Sequence, residues 1–168
     1  MTILGLCGRR AVGKTTLANA LPDWVNVSFA DKLKAEVKRM ALQLEPRIHD
    51  LCLLAERDKR EAKDIIRPWY IFHGEWRRNM DADYWLRPVL EKITSQPDTK
   101  WVVSDVRYAN EARAIKELGG KIVMLTRDTG LEDLPTETAS LGEIEAAGLV
   151  DVWVANNGTV ADMMWQVI

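Results

Sequence analysis

Apolar and polar positions alternate along the chain in two patterns that predict different elements. Five short apolar runs have the length of buried strands: Thr2–Cys7, Trp24–Phe29, Trp101–Asp105, Lys121–Thr126 and Val150–Ala155. Strands that alternate with helices form a parallel sheet whose faces the helices cover. The pattern predicts an α/β fold with a five-stranded parallel sheet, and 168 residues are enough for one such domain.

Between these runs, apolar side chains recur every three or four residues, which predicts helices. We expect helices from a cap at Asp31 to Leu44 and at Gly13–Pro22, Ile48–Ala62, Pro68–Arg78, Tyr84–Thr94, Glu111–Leu118 and Thr159–Val167. Because four of these fall between the second and third strands, residues 30 to 100 are predicted to form a helical insertion that binds an acceptor. The acidic segment Asp128–Ser140 lacks periodicity, so residues 127 to 147 are predicted to form a lid-like surface loop.

One segment matches a motif with a known chemical purpose. Gly8–Thr15 fits the pattern G-x-x-x-x-G-K-[ST] and lies between a predicted strand and a predicted helix. In such a loop the backbone N–H groups cradle phosphates, the lysine reaches the β- and γ-phosphates, and the hydroxyl binds magnesium. Lys14 and Thr15 supply these groups, so the chain is predicted to bind ATP with Mg²⁺. A chance glycine-rich turn would not explain the order of strand, loop and helix.

The expected ATP contacts lie in this loop and in a turn near the end of the sequence. They are Gly8, Arg10, Ala11, Val12, Gly13, Lys14, Thr15, Thr16, Asn156 and Asn157. The two asparagines follow the last predicted strand, where a loop can cross a bound adenine. On sequence alone, however, a helix cap explains this turn better.

The third predicted strand ends in a carboxylate, Asp105, followed two residues later by Arg107. Ligands of open α/β sheets bind at the carboxyl ends of the strands. We therefore expect Asp105, with Thr15, to bind Mg²⁺, and Arg107 to contact a phosphate. The alternatives are an aspartate that caps the next helix and an ordinary surface arginine.

Arginines bracket a segment rich in aromatic residues. Guanidinium groups bind phosphate in a bidentate manner, and aromatic faces stack on nucleobases, so the segment suits a nucleoside monophosphate. The alternative is that about half of the aromatic residues are core. Lys32, after the second strand, is a further candidate for the acceptor phosphate, although an exposed helix residue would be unremarkable there. These candidates are Lys32, Arg67, Trp69, Tyr70, Phe72, Trp76, Arg77 and Arg78.

The composition of the chain argues against some classes of binding partner. A formal net charge of −2 argues against a general nucleic-acid-binding protein, and no apolar run approaches the length of a membrane span. Cys7 and Cys52 lack metal-type spacing and lie in apolar stretches, so we expect packed, reduced thiols and a cytoplasmic protein. His49 and His73 lack the spacing of a metal pair and are interpreted as structural.

Several motifs together resemble the phage-type deoxynucleoside monophosphate kinases of the P-loop kinase superfamily, over nearly the whole chain. The motifs are Gly8–Thr16, Phe29-Ala30-Asp31-Lys32, Gly74-Glu75-Trp76-Arg77-Arg78 with Asp83-Tyr84-Trp85, Ser104-Asp105-Val106-Arg107 with Asn110-Glu111-Ala112, and Asn156-Asn157-Gly158-Thr159. The phosphate loop is shared with many families, whereas the combination of Trp-Arg-Arg with Asp-Val-Arg and Asn-Glu-Ala is more specific. One element departs: where the family tends to have His-x-Ser-Glu, this chain has Thr138-Ala139-Ser140-Leu141.

The resemblance implies a three-layer nucleoside monophosphate kinase fold, an ATP donor, magnesium, a small-molecule nucleotide acceptor and often a homodimer, located in the host cytoplasm if a phage encodes it. It adds Trp85 to the expected acceptor contacts. The expected catalytic groups are Lys14, Arg78, Asp105, Arg107 and Arg127. A dephospho-coenzyme A kinase or another small-metabolite kinase is the main alternative. A GTPase lacks support because no Asn-Lys-x-Asp motif is present, and intact Lys14 and Asp105 weigh against an inactive nucleotide-binding module.

Overall fold

The structure is a computed structural model, and it describes residues 1–57, 60–132 and 135–167. It contains a parallel sheet with the strands in the order β2-β3-β1-β4-β5. The strands are β1 (Thr2–Cys7), β2 (Trp24–Val27), β3 (Lys100–Val103), β4 (Lys121–Thr126) and β5 (Val152–Ala155). The predicted α/β fold with a five-stranded parallel sheet is confirmed.

The helices fill every interval between the strands. They are α1 (Lys14–Ala20), α2 (Ala30–Leu44), α3 (Pro46–Glu56), α4 (Arg60–Met80), α5 (Leu86–Thr94), α6 (Ala109–Glu117), α7 (Pro135–Ala146) and α8 (Val160–Trp165). Within the described ranges, none of these helices has the length and apolar character needed to span a bilayer.

Strand β1 lies at the centre of the sheet because its side chains are almost continuously apolar. Leu4 on β1 pairs with Val102 on β3 and with Lys121 on β4, so β1 is hydrogen-bonded on both sides. Buried parallel strands have this kind of uninterrupted apolar sequence. The chain runs from β1 towards one edge of the sheet and later returns to the other side, so the carboxyl end of β1 is a topological switch point, where α/β proteins bind ligands.

The chain divides into two compact units. The first consists of Met1–Ser28 and Val89–Ile168 and contains the whole sheet. Its core includes Leu6, Leu17 and Leu125, each almost fully buried. The second unit, Phe29–Pro88, is helical and has its own small core around Val37, Cys52, Ala55, Ala62 and Ile66.

Two predicted helix boundaries in the helical unit are wrong. Helix α4 begins at Arg60, and Pro68 lies inside it. A proline in a helix interior removes one backbone hydrogen bond, but the burial of Ile66 in the same turn favours continuing the helix. Asp31 is not the cap of α2: Phe29 precedes the helix, and Asp31 lies in its first turn, where a carboxylate favours the positive end of the helix dipole.

The helix predicted at Ile48–Ala62 is divided in the structure. Helix α3 starts earlier, at Pro46, because proline is well suited to the first helical position and the Glu45 side chain accepts a hydrogen bond from the backbone N–H of Arg47. It ends at Glu56, and residues 58 and 59 lie outside the described residues. The boundary was hidden because the caps are local and the apolar spacing continues across them.

The surface loop predicted at Asp128–Ser140 is wrong in its second half, because α7 begins at Pro135. Only Leu141 and Ile144 are buried on this helix, so its sequence shows little apolar periodicity. Residues 133 and 134 lie outside the described residues. A lid function for this segment stays a prediction.

Candidate functional site

Five segments of the sheet unit place polar groups at one edge. Because all five strands are parallel, their carboxyl ends lie on the same side of the sheet. Gly8, Ser28, Arg127 and Asn156 directly follow β1, β2, β4 and β5, and Asp105 lies one residue further on from the end of β3, after Ser104. The sequence therefore gathers donors, carboxylate and cations at the edge where α/β sheets bind ligands.

The loop between β1 and α1 requires glycine at two positions. Gly8 has φ +131°, and a Cβ there would collide with the carbonyl oxygen of Leu125. Gly13 has φ +102°, and a Cβ there would lie 2.6 Å from the Asn156 side-chain nitrogen. Ala11 also has a left-handed conformation, at φ +63°. The motif glycines are thus required by both conformation and space.

Lys14 folds back over this loop. Its Nζ donates hydrogen bonds to the carbonyl oxygens of Gly8, at 2.6 Å, and Arg9, at 2.7 Å. Burial, and then the positive charge of Arg107, lower the pKa of Lys14 to about 8. Glu137 and Asp105 act in the opposite direction. An anion bound beside Lys14 would relieve this cost, so the site favours negatively charged ligands.

Asn156 supports the loop from below. Its side-chain nitrogen donates to the carbonyl oxygen of Val12 at 2.9 Å, and the residue is buried. Its amide is enclosed and already bonded to the loop, and a direct contact of Asn156 with ATP stays a prediction. Asn157 is exposed and lines a cavity beside the loop, so its contact with ATP stays a prediction.

The carboxylate of Asp105 is partly buried and accepts a hydrogen bond from the Ser28 hydroxyl at 2.6 Å. Thr15 and Thr16 lie in the first turn of α1 and are exposed. A hydroxyl and a carboxylate are oxygen ligands of the kind that magnesium prefers, so Thr15 and Asp105 fit the predicted metal. Ser28 was missed from the sequence, since a lone serine at a strand end carries no distinctive pattern.

The segment after Asp105 is anchored by a buried carboxylate. Glu111 is almost fully buried on α6 and accepts hydrogen bonds from the backbone N–H groups of Arg107, at 2.8 Å, and Tyr108, at 3.1 Å. These bonds fix the backbone at Arg107, whose side chain is exposed. The Asn-Glu-Ala motif thus has a structural explanation: its glutamate holds the loop that carries the predicted phosphate ligand.

Helix α7 also contacts the phosphate loop. The backbone N–H of Arg10 donates to the Glu137 carboxylate at 3.2 Å, and the Arg10 guanidinium donates to the carbonyl oxygen of Glu132 at 3.0 Å. Glu137 was missed because its segment was expected to be an irregular loop. Its position brings a carboxylate to a loop whose N–H groups suit anions.

A cavity of about 610 Å³ adjoins the phosphate loop. Its lining includes Gly8 and Arg9 from the loop, Arg127 after β4, and Trp153 on β5, whose side chain is exposed. The volume is in the range of small-molecule sites. The predicted catalytic Arg127 thus lies on the same cavity as the phosphate loop, although its role in catalysis stays a prediction.

The helical unit holds a buried polar cluster. Glu36 on α2 accepts a hydrogen bond from the Tyr84 hydroxyl at 2.6 Å and lies 2.9 Å from Nε2 of His73. Arg77 and Lys32 adjoin the ring of Tyr84, with the guanidinium carbon 4.8 Å and the ammonium nitrogen 3.8 Å from its centroid. His73 is structural, as predicted, since it is buried and packs against the rings of Trp76 and Trp85.

The aromatic residues of α4 are mostly on its surface. Trp69, Phe72 and Trp76 are each at least 46% exposed, whereas Tyr70 is half-buried against the small core. Trp85, which the resemblance adds to the expected acceptor contacts, is 1% exposed, and its indole N–H donates to the Gly74 carbonyl at 3.2 Å. The ring is packed inside the helical unit, and its single N–H has a hydrogen-bond acceptor there. The contact of Trp85 with the acceptor nucleotide stays a prediction.

The three arginines predicted to contact the acceptor, Arg67, Arg77 and Arg78, have different neighbours. Arg67 forms an ion pair with Asp64 at 3.6 Å on the exposed side of α4. Arg78 is partly buried near Gly74 on the same helix. Arg77 lies between the rings of Trp76 and Tyr84, with 4.9 Å from its guanidinium carbon to the first and 4.8 Å to the second.

A glycine-dependent loop with an inward-folded lysine, at the carboxyl end of a central parallel strand, defines a P-loop nucleotide-binding protein. No model of a known protein family matches the chain. A relative from Acanthamoeba polyphaga mimivirus, named "Putative deoxynucleotide monophosphate kinase", is 28% identical over 188 aligned positions that cover 100% of this chain and 95% of the relative. The expected resemblance to a deoxynucleoside monophosphate kinase, and so to an enzyme of the kinase class, is confirmed.

Similar solved structures include the dephospho-CoA kinase of Campylobacter jejuni. It is 18% identical, the alignment covers 99% of this chain and 94% of that protein, and the TM-score is 0.46.

Proposed function

We propose that the chain transfers the γ-phosphoryl group of ATP to the 5′-phosphate of a deoxynucleoside monophosphate. An oxygen of the acceptor phosphate forms a bond to the γ-phosphorus, and the bond from that phosphorus to the β,γ-bridging oxygen breaks. The products are a deoxynucleoside diphosphate and ADP. The observation that carries the proposal is the phosphate loop with Lys14 folded over it, in a chain that resembles a protein of that name over its full length.

The sheet unit supplies the donor site in this proposal. The N–H groups between Gly8 and Thr15 would bind the phosphates of ATP, and Lys14 would exchange its two carbonyl partners for phosphate oxygens. Thr15 and Asp105 would hold Mg²⁺, which would neutralise charge on the β- and γ-phosphates. The cavity beside the loop has room for the adenosine part of ATP.

The helical unit supplies the acceptor site. Its Arg77 and Lys32 offer positive charge, and the exposed rings of Trp69, Phe72 and Trp76 offer flat apolar surface for a base. The second pKa of a phosphate monoester is about 6, so the attacking oxygen is already ionised near neutral pH. The reaction therefore requires no general base, and catalysis depends on positioning and charge neutralisation.

The test is ADP release measured with MgATP and a panel of acceptors: dTMP, dGMP, dCMP, dAMP, the four ribonucleotides and dephospho-coenzyme A. We expect at least one deoxynucleoside monophosphate to be a good acceptor and dephospho-coenzyme A to be inert. Turnover only with dephospho-coenzyme A would assign the chain to that activity instead. The absence of turnover with every acceptor, in a protein that binds ATP, would support a binding module.

Arg78→Ala tests the predicted contact with the acceptor. We expect the KM for the monophosphate to rise far more than the KM for ATP, because a guanidinium that binds the acceptor contributes nothing to the donor site. Arg39→Ala, at an exposed position on α2, is the matched control and should leave both values unchanged. An equal rise in both KM values would mean that Arg78 supports the fold.

Two further expectations stay proposals. The two cysteines are free and buried, which suits the reducing cytoplasm proposed as the location of the protein. A homodimer, implied only by the resemblance, would be tested by light scattering of the purified chain.

A further inference from the structure

The buried cluster of the helical unit goes beyond the predicted acceptor contacts. We propose that Glu36 is a positioning residue that holds the cations Arg77 and Lys32 beside the ring of Tyr84, where the pair binds the phosphate of the acceptor nucleotide. The inference rests on the proposed function and identifies the side chains that build its acceptor site. Nothing in the sequence pattern singled out Glu36 or Tyr84 for this role.

Glu36 is a charged residue in a place where charge is costly. It is 8% exposed, and its two carboxylate oxygens are used by different partners: Oε1 by the Tyr84 hydroxyl and Oε2 by His73. Burial raises the pKa of Glu36, but the hydrogen bonds from Tyr84 and His73, together with the charge of Arg77, hold it below its usual value. A carboxylate kept ionised in the interior stabilises a cation beside it.

Arg77 forms an ion pair with this carboxylate but no hydrogen bond. Its Nε lies 3.6 Å from Oε2 of Glu36, which is an ion-pair distance but too long for a hydrogen bond. The same Nε is buried and has no hydrogen-bond partner among the described residues. The guanidinium is instead held by contacts with the rings of Tyr84 and Trp76, which leave its planar hydrogen-bonding edge for another ligand.

Lys32 adds a second positive charge at the same ring. Its Nζ lies 3.8 Å from the centroid of Tyr84, and it makes no ion pair or hydrogen bond with any residue in the described part of the chain. Asp81, whose pKa Lys32 helps to lower, is itself paired with Arg87. Two cations thus lie beside the Tyr84 ring, and only Arg77 is within ion-pair distance of the internal carboxylate, so the positive charge at this ring favours an anion.

A nucleoside monophosphate matches this arrangement. Its phosphate carries a charge of about −1.5 to −2 near neutral pH, which complements two cations partly balanced by Glu36. Trp76, which contacts Arg77, is 46% exposed and offers a surface for the base next to the phosphate position. The Tyr84 hydroxyl couples the ring to Glu36, so the position of the ring, and with it both cations, depends on the carboxylate.

The test compares Glu36→Gln with the wild type in steady-state kinetics, varying the monophosphate and ATP separately. Glutamine keeps the size and one oxygen acceptor but removes the charge. We expect the KM for the monophosphate to rise about tenfold, with the KM for ATP and kcat changed less than about twofold. Glu75→Gln, at an exposed glutamate on α4, is the matched control and should leave all three values unchanged.

A double-mutant cycle separates positioning from general support of the fold. If Glu36 acts through Arg77, Glu36→Gln should raise the monophosphate KM much less in an Arg77→Ala background than in the wild type. Additive effects would overturn the inference. If Glu36→Gln does not fold, Tyr84→Phe and Lys32→Gln test the same arrangement: each should raise the monophosphate KM selectively, and an unchanged value in both would overturn it.

Failure of this inference can be distinguished from failure of the proposed function. A wild-type protein that phosphorylates no nucleoside monophosphate would refute the proposed function itself. A wild-type protein that does so, with a Glu36→Gln variant that is folded and has equal changes in both KM values, would refute only the positioning role.

Discussion

The carboxylate of Glu137 accepts a hydrogen bond from the backbone N–H of Arg10, at 3.2 Å, inside the loop that carries the phosphate-binding motif. The N–H groups of such loops bind phosphate oxygens in nucleotide complexes. Glu137 therefore occupies one donor that the γ- or β-phosphate of ATP would need. Its negative charge also lies close enough to Lys14 to raise the pKa of that ammonium against the effect of burial.

We predict that Glu137→Gln tightens ATP binding several-fold. The variant removes a competing charge from the loop while keeping a side chain of the same size, and tenfold in affinity corresponds to about 1.4 kcal/mol. The dissociation constant is measured by calorimetry with a non-hydrolysable ATP analogue. Glu143→Gln, at an exposed position on the same helix, is the control. Weaker or unchanged binding by Glu137→Gln would show that the contact does not compete with nucleotide.

Lys14 should give the reaction an alkaline limit. Because its pKa in the free protein is about 8, the ammonium loses its proton above that pH and no longer attracts phosphate. We expect kcat/KM for ATP to fall above about pH 8, since this ratio reports ionisations of the free enzyme. Lys14→Arg keeps its charge throughout this range, so its lower activity should not show that limit. A flat wild-type profile up to pH 10 would contradict the assignment.

The same group predicts how stability changes with pH. Folding lowers the pKa of Lys14 from 10.5 to about 8, so between these values the unfolded chain binds more protons than the folded one. Stability without ligand should therefore increase with pH across this range, relative to Lys14→Met, which cannot titrate. Urea unfolding of both proteins at pH 8 and pH 10 measures the difference.

Lys14→Ala should remain folded but lose phosphoryl transfer, by on the order of several kcal/mol in transition-state stabilisation.

The hydrogen bond from Ser28 to Asp105 predicts a graded response to magnesium. Asp105→Asn keeps the shape but removes the charge that attracts the ion, so it should lower kcat and raise the magnesium concentration needed for half-maximal rate. Ser28→Ala leaves the carboxylate but not its orientation, and it should raise that concentration by a smaller factor. The surface variant Asp98→Asn is the control. An unchanged magnesium response in Asp105→Asn would make Asp105 a structural residue only.

The sheet and the phosphate loop could be predicted from the sequence because both depend on local patterns. Buried parallel strands are continuous apolar runs, and the loop requires glycine where the backbone has φ values such as the +131° of Gly8. The position of Asp105 beside the phosphate loop could also be predicted, because the carboxyl ends of parallel strands lie at one edge of the sheet. The interactions that were missed join distant segments: Ser28 lies 77 positions from Asp105, and the hydrogen bond from Asn156 reaches Val12, 144 positions away.

The helical unit was harder to predict because its aromatic residues have two possible environments. Trp76 and Trp85 are tryptophans in similar sequence surroundings. Trp76 is 46% exposed, whereas Trp85 is buried and its N–H is bonded to the Gly74 carbonyl. Only the three-dimensional packing distinguishes them, because Trp85 is enclosed beside Gly74 of α4. Glu36 was overlooked for the related reason that a glutamate on a helix is usually solvated, and its burial depends on Tyr84, 48 positions away.

Asn156 provides the last prediction, because the sequence suggested an adenine contact and the structure indicates a support for the loop. Asn156→Ala would leave the buried carbonyl of Val12 without its side-chain donor, at a cost of about 1–3 kcal/mol in the free energy of unfolding. Thermal unfolding measures that loss, and Asn157→Ala, at the exposed neighbour, should show little of it. The two roles differ in the ligand they affect. A support for the loop should weaken the binding of ATP and of inorganic triphosphate, which lacks a base, by the same factor. A contact with adenine should weaken ATP binding alone and leave the stability unchanged, and that result would overturn the structural interpretation.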